Sequence, residues 1–425
     1  MSLSRRQFIK WLGAAAAAGG AVGCASAASG KSAGRVVVIG GGYGGATAAK
    51  YVRMWSPDIE VTLVERNGEF ISCPLSNRVL AGVIELKDLT RDYGTLAARH
   101  GVRLVRDEAV AVDTAAQAVR LASGAVLQYD RLIVSPGVDL LHEEIPGLRD
   151  RAAQERVLHA WKAGPQTVAL RRQLEAMRDG GVYAITIPRA PYRCPPGPYE
   201  RACQVAFYLK THKPRSKVLI LDANEDVQSK KALFVKVWSE RYGGMVEYRP
   251  NSNLVDVDVA TLTAKLDFED VKADVLNVVP PQRAAKIALD AGLITANGKW
   301  CEVDFLTYES KAARNVHVLG DAILAAPQMP KSGHMANQHA KVCAAAVIAL
   351  LHGEQPNPEP LVTNTCYSFV SDKEVIHVAS VHAYNAEKKT MEVIKGASGV
   401  STGPSELEGR YAEAWGRNIW NDMLA

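Results

Sequence analysis

The stretch "RVVVIGGGYGGATAAKYVRMWSPDIEVTLVERN", Arg35 to Asn67, decides the fold. An apolar run from Val36 to Ile39 leads directly into Gly40-x-Gly42-x-x-Gly45, a helix-like stretch "ATAAKYVRM" follows, and a second apolar run ends on Glu65. Strand, glycine turn, helix, strand and acidic residue in that order form a dinucleotide-binding fingerprint in its full βαβ context. Each position has a physical task. Gly40 permits the tight turn, Gly42 lets backbone approach a pyrophosphate, Gly45 and Ala49 allow close helix–strand packing, and Glu65 would accept hydrogen bonds from a ribose.

Working outward, "LQYDRLIVSPGVDL" reads as a strand ending in Ser135-Pro136-Gly137, and "NVHVLGDAIL" as a strand ending in Gly320-Asp321. Both match the second and third FAD contacts expected of flavoproteins with two dinucleotide domains, so FAD is the expected cofactor. Asp321 would bond the ribityl chain. The helix "HMANQHAKVCAAAVIALL" would then present its N-terminus to negative charge on the flavin ring.

A second nucleotide domain is expected around the strand Val182 to Ile187 and "KVLILD", which closes on Asp222. Where its phosphate loop should stand, the chain reads "IPRAPYRCPPGPYERACQVAF", Ile187 to Phe207. Prolines remove N–H donors and add bulk where a phosphate needs donors and space. No NAD(P)H site is therefore expected, and electrons must enter another way. Cys194 is the candidate entrance, because it stands at a strand-to-helix junction where a helix N-terminus would lower a thiol pKa. Cys366, in "NTCYSF" after the proline-rich "GEQPNPEPL", is its expected partner.

The first thirty residues read as an address. "SRRQFIK" followed by "WLGAAAAAGGAVG" fits a twin-arginine export signal and is too short and glycine-rich to span a bilayer. Cleavage after Ala27 is expected, with lipidation at Cys24 as the alternative. The expected location is the periplasm, where disulfides are permitted. Of the net charge of +5, Arg5, Arg6 and Lys10 supply three, so the exported chain keeps only +2 and nucleic acid is not an expected partner. No cysteine spacing fits a metal site and no CxxCH occurs, so any haem c belongs on a partner subunit. No transmembrane segment is expected.

The stretches "GGGYGGATAAKY", "ISCPLSN", "HAWKAG", "YRCPPGPYERA", "HKPRSKVLILD", "VVPPQRAAKIA", "MPKSGHMAN" and "NTCYS" together resemble the flavoprotein subunit of flavocytochrome c sulfide dehydrogenase, over essentially the whole exported chain. The resemblance implies an α/β fold: two Rossmann-like dinucleotide-binding domains, the second without its phosphate loop, and a C-terminal α+β domain. The expected division is a signal at 1–27, a discontinuous FAD domain at 34–147 and 277–355, a second Rossmann-like domain at 148–276, and a flavin-covering domain at 356–425.

The resemblance also implies residue roles. Cys73 would be bonded to the flavin, Cys194 and Cys366 would form a redox disulfide, and Lys331 in "PKSGH" would help hold anionic flavin or substrate. Hydrosulfide would be oxidised to sulfur or polysulfide, with electrons leaving to a c-type cytochrome subunit or a soluble cytochrome c. Two alternatives stand beside this: a sulfide:quinone oxidoreductase, and a flavoprotein activator of a sulfur-carrier protein. Cys203 is either an inert core thiol or a competing sulfur partner, while Cys301 and Cys343 read as structural. In "RYAEAWGRNIWNDML", Tyr411, Trp415, Ile419 and Trp420 recur at helical spacing, and packing on the core or a partner is expected over a membrane-lying helix.

Overall fold

Val36, Val37 and Val38 lie at the centre of a parallel sheet and are almost wholly buried, which is why this strand reads as an unbroken apolar run rather than an alternating one. The structure is a computed structural model that describes residues 32–425. The expectations for Arg5, Arg6, Cys24 and Ala27 lie outside the described residues. The first sheet runs, in spatial order, Val316–Val318, Arg131–Val134, Gly34–Ile39, Ile59–Val64 and Arg103–Val105, with every neighbouring pair parallel. The helix Tyr43–Trp55 follows the first strand and packs against the long helix Gly333–Leu351. Ser332 caps that long helix by accepting the Met335 N–H at 3.0 Å.

A second parallel sheet has the order Val246–Arg249, Lys217–Asp222, Val182–Ile187 and Val275–Val278. The chain leaves the first Rossmann-like unit through Val138–Leu140 and returns through Gln282–Ala284. These two segments pair antiparallel, so the departure and return are stitched side by side. The helix Gly197–His212 lies on the second sheet and buries Tyr199, Ala202, Val205 and Leu209. Cys203 is fully buried on the same helix, so it is a core thiol, as are Cys301 and Cys343.

The C-terminal unit is antiparallel. Leu361–Phe369 pairs with Val375–Asn385, which also pairs with Thr390–Val393 and Gly399–Val400. Ser405 then starts the helix Glu406–Leu424 by accepting the N–H groups of Leu407 and Glu408. Its apolar face turns inward: Ile419, Trp420 and Met423 are buried, and Trp420 Nε1 donates to the Tyr43 hydroxyl at 3.2 Å. Asp422 accepts from Tyr51 at 2.6 Å and from Asn337 at 2.7 Å. The aromatic spacing therefore reflects core packing, with Tyr411 left outside at 53% exposure. Among the described residues no helix is long and apolar enough to cross a membrane.

Candidate functional site

The fingerprint glycines are required by geometry. A side chain on Gly45 would place its Cβ 1.8 Å from the Gly40 carbonyl oxygen, and Gly40 itself has φ +95°, open to glycine at little cost. A Cβ on Gly42 would meet no protein atom within 4 Å. That side of Gly42 faces a cavity of about 1220 Å³, where bare backbone can meet a ligand. Glu65 closes this end of the cavity. Its Oε2 accepts the Gly41 N–H at 2.7 Å, and its Oε1 accepts both nitrogens of Asn67, at 2.8 and 2.6 Å.

Gly137 and Gly320 both have positive φ, at +67° and +69°, and both line the same cavity. Asp321 lines it too. Its Oδ1 is buried and finds no hydrogen-bond partner among the described residues. Burial pushes this carboxyl up while Arg193 and Lys331 pull it down. An orphaned acceptor of this kind calls for a donor supplied by a ligand, such as a sugar hydroxyl. The open face at Gly42, the Glu65 carboxylate and the unpaired Asp321 oxygen together fit a dinucleotide with a polyol chain. The donor set suits FAD.

Three thiols, Cys73, Cys194 and Cys366, line this one cavity from three separate segments. Cys73 follows the strand Glu69–Ile71, and its Sγ accepts the Ala163 N–H at 3.4 Å. The Arg193 guanidinium lies among Cys73, Asp321 and Cys194. Burial works to lower its pKa, but interaction with the ionised forms of these groups outweighs burial and holds it above its ordinary value. Cys194 has φ +61°, unusual for a residue with a Cβ, and is held there by its N–H donating to the Lys331 carbonyl at 2.8 Å and its own carbonyl accepting the Gly197 N–H at 2.8 Å. Cys366 stands in the strand Leu361–Phe369, with Asn364 Nδ2 donating to its Sγ at 3.3 Å.

Two expectations need correction. The Cys194 thiol is shifted the opposite way from that expected of a helix start: burial pushes it well up, with Cys366 and Glu200 adding to the rise and Arg193 and Lys230 opposing it. Lys331 does not present its ammonium to the cavity. Its Nζ donates to the carbonyls of Asp321, at 2.9 Å, and Ile323, and lies 3.6 Å over the Trp300 ring. Burial lowers it to about 8. Lys331 thus braces the Gly320-Asp321 turn from behind and positions Cys194 through its carbonyl. Cys194 and Cys366 are both partly exposed and both line the cavity.

Sequence reasoning missed the groups that tie these segments together. Asn77 Nδ2 donates to Glu200 Oε2 at 3.0 Å, and Asn77 Oδ1 accepts from Arg201 Nε at 3.0 Å. Arg201 also donates to the carbonyls of His159 and Ala160 and to Asn277 Oδ1, which satisfies a buried guanidinium. Glu200 lines the cavity, and its pKa is raised, chiefly by burial. Glu200 and Arg201 were in plain view in "YRCPPGPYERA" but carry no pattern that announces burial. Lys230 is also buried here, and nothing in "VQSKKAL" distinguishes it from a surface lysine.

Two Rossmann-like units, a capping antiparallel domain and cysteines facing a dinucleotide cradle define a flavoprotein oxidoreductase of the disulfide-oxidoreductase type. Residues 34–176 match the family model "Pyridine nucleotide-disulphide oxidoreductase". The model "Sulfide dehydrogenase [flavocytochrome c] flavoprotein chain, central" matches 167–280, and "Flavocytochrome c sulphide dehydrogenase, flavin-binding" matches 358–424. A sulfide dehydrogenase [flavocytochrome c] flavoprotein chain from Chlorobaculum thiosulfatiphilum is 60% identical over 45 residues, covering 94% of that sequence and 11% of this one. The chain belongs to the family of flavocytochrome c sulfide dehydrogenase flavoprotein chains.

A mitochondrial sulfide:quinone oxidoreductase from Dictyostelium discoideum is 25% identical over 304 residues, 68% of this chain. The match spans just under two thirds, 66%, of that relative's length. The sulfide:quinone oxidoreductase structure from Aquifex aeolicus shares the fold, with a TM-score of 0.73 at 17% identity over 92% of this chain and 91% of that one. Residues 2–23 match a twin-arginine translocation signal, which directs export to the periplasm.

Proposed function

We propose that this chain is a periplasmic sulfide dehydrogenase subunit that oxidises hydrosulfide through a Cys194–Cys366 disulfide and hands the electrons to a c-type cytochrome. The observation that carries this reading is the convergence of Cys194 and Cys366, far apart in sequence, on the cavity that also holds the dinucleotide cradle and Cys73. The residues that would hold FAD are Gly40, Gly42, Gly45 and Glu65 at one end, and Gly137, Gly320 and Asp321 at the other. Cys73 is the proposed covalent anchor. FAD, when bound, supplies a two-electron acceptor that can release electrons singly to haem.

The chain's own residues perform the sulfur chemistry. Hydrosulfide attacks one sulfur of the disulfide, the S–S bond breaks, and the products are a persulfide on one cysteine and a thiolate on the other. Atoms and charge balance: one anion enters and one thiolate leaves, and the sulfide is oxidised as the disulfide is reduced. Glu200 lines the same cavity as both cysteines and adds to the rise of each thiol; with its own carboxyl raised by burial, it would hold the proton that a persulfide gives up. Arg193 keeps a fixed positive charge beside the thiols and Asp321.

The relatives keep a second reading in view, in which quinone takes the electrons. Purified protein mixed with sulfide should reduce a soluble c-type cytochrome. Faster reduction of a short-chain quinone than of cytochrome would overturn the proposed acceptor while leaving the sulfide chemistry intact.

A further inference from the structure

Lys230 is a buried cation whose ammonium is held by the strand that carries Cys366 and by the strand Val375–Asn385 beside it. It stands with φ +55° at the start of the helix Lys231–Arg241, a left-handed conformation that a residue with a side chain adopts at a cost. Its Nζ donates to the Cys366 carbonyl at 2.9 Å, to Ser368 Oγ at 2.7 Å and to the Ile376 carbonyl at 3.4 Å. Burial lowers it to about 8, and the opposing influences are the charges of Cys366, Glu200, Cys194 and Glu408.

A donor also reaches the Cys366 sulfur itself. Asn364 Nδ2 lies 3.3 Å from its Sγ, and the Asn364 amide is oriented by Ser332 Oγ, which donates to Asn364 Oδ1 at 2.7 Å. Cys194 has no equivalent: among the described residues no group donates a hydrogen bond to its Sγ, and the two cations that face it, Arg193 and Lys230, are shared with Cys73 and Cys366. Burial raises both thiols, but Lys230, Asn364 and Ser332 pull Cys366 back down, with Glu200 the remaining charge that pushes it up.

We infer that the disulfide is polarised: hydrosulfide attacks Cys194, and Cys366 departs as the thiolate, with the Asn364 amide donating to its sulfur and the Lys230 ammonium fixed on its backbone carbonyl. The inference rests on the sulfide-oxidising reading above and assigns its direction. The S–S bond breaks with its electron pair going to Cys366 Sγ, a new S–S bond forms between hydrosulfide sulfur and Cys194 Sγ, and the hydrosulfide proton stays on the terminal sulfur. A leaving thiol with the lower pKa departs faster, so charge placed behind Cys366 selects which sulfur is attacked. Lys230 acts through Cys366 and is a positioning residue.

The test begins with peptide mapping of the oxidised holoprotein. Absence of a Cys194–Cys366 disulfide there would defeat the parent reading, independently of its direction. Wild-type protein is then mixed anaerobically with one equivalent of sodium sulfide, trapped with an alkylating agent and mapped by mass spectrometry. The persulfide adduct is expected on Cys194 and the simple alkyl adduct on Cys366; a persulfide on Cys366 overturns the inference. Independently, the alkylation rate of Cys366 in the dithiol form is followed against pH. Lys230→Met should move its midpoint up by about one unit or more, a tenfold slower reaction below the midpoint, while Lys230→Arg stays near wild type. A Lys230→Met profile that overlays wild type also overturns it.

Discussion

Glu200 Oε1 accepts the backbone N–H of Phe369 at 2.9 Å, so a single carboxylate ties the helix that follows Cys194 to the strand that carries Cys366. Its other oxygen accepts from Asn77, on the segment that carries Cys73. Three cysteine-bearing segments are thus registered on one buried group. Glu200→Gln keeps the shape but puts an amide where one of two donors must be accepted, and leaving one buried group unpaired costs about 1–3 kcal/mol. The variant should fold with a lower melting temperature and lose at least about tenfold in sulfide turnover, the low end of what acid–base groups contribute. Because burial raises the wild-type carboxyl above 4.5, the acid limb of the wild-type rate profile should lie above that pH. An acid limb that survives unchanged in Glu200→Gln would remove Glu200 from proton handling.

Gly42 and Gly45 should fail in different ways. Gly45→Ala forces a Cβ to 1.8 Å from the Gly40 carbonyl oxygen, so the βαβ unit must deform and stability should fall by about 1–3 kcal/mol. Gly42→Ala meets no protein atom, so the flavin-free protein should melt as wild type does while FAD affinity drops. Calorimetry with and without added FAD separates the two. Equal destabilisation of both flavin-free proteins would contradict the account of Gly42.

Cys73→Ser tests the anchor. After acid precipitation the yellow colour should stay with wild-type protein and pass to the supernatant for Cys73→Ser. Arg193→Met, which removes the cation beside Cys73, should give a mixture of bound and released flavin. Retention of flavin by Cys73→Ser would move the attachment elsewhere or exclude it.

Acid should destabilise the fold through buried neutral histidines. His339 is 2% exposed, neither of its ring nitrogens finds a partner among the described residues, and burial lowers it to about 3. The unfolded chain takes up the proton first, near the ordinary value of 6.5, so stability is intact above that pH and is lost as pH falls toward 3. Each such histidine contributes a slope of about 1.4 kcal/mol per pH unit in that window. His339→Phe keeps a ring against Tyr308, whose centroid lies 4.7 Å away. Denaturant unfolding at pH 7 and pH 5 should show a smaller acid loss for the variant than for wild type; identical losses would exclude His339.

The parallel sheets and the FAD cradle were legible because short-range pattern dictates them. Gly40, Gly42 and Gly45 each answer a local steric demand, and Val36 to Ile39 declare a strand buried on both faces. The convergence of Cys73, Cys194 and Cys366 became legible through whole motifs of unusual composition. What stayed hidden depends on where long polar side chains end. Lys331 was expected to face the cavity, yet its ammonium turns back to the Asp321 carbonyl. Lys230 was passed over, yet it lies under Cys366. A helix N-terminus after Cys194 was expected to favour its thiolate, and burial pushes that thiol the other way.

The most direct test of the central claim is an anaerobic sulfide titration of the flavin absorbance of wild type, Cys194→Ser and Cys366→Ser. Wild type should bleach within the mixing time of a rapid-flow instrument, and both variants should lose at least two orders of magnitude in bleaching rate while keeping their flavin. Bleaching at the wild-type rate in either variant would show that sulfide reaches the flavin without the cysteine pair, and the proposed disulfide chemistry would fall.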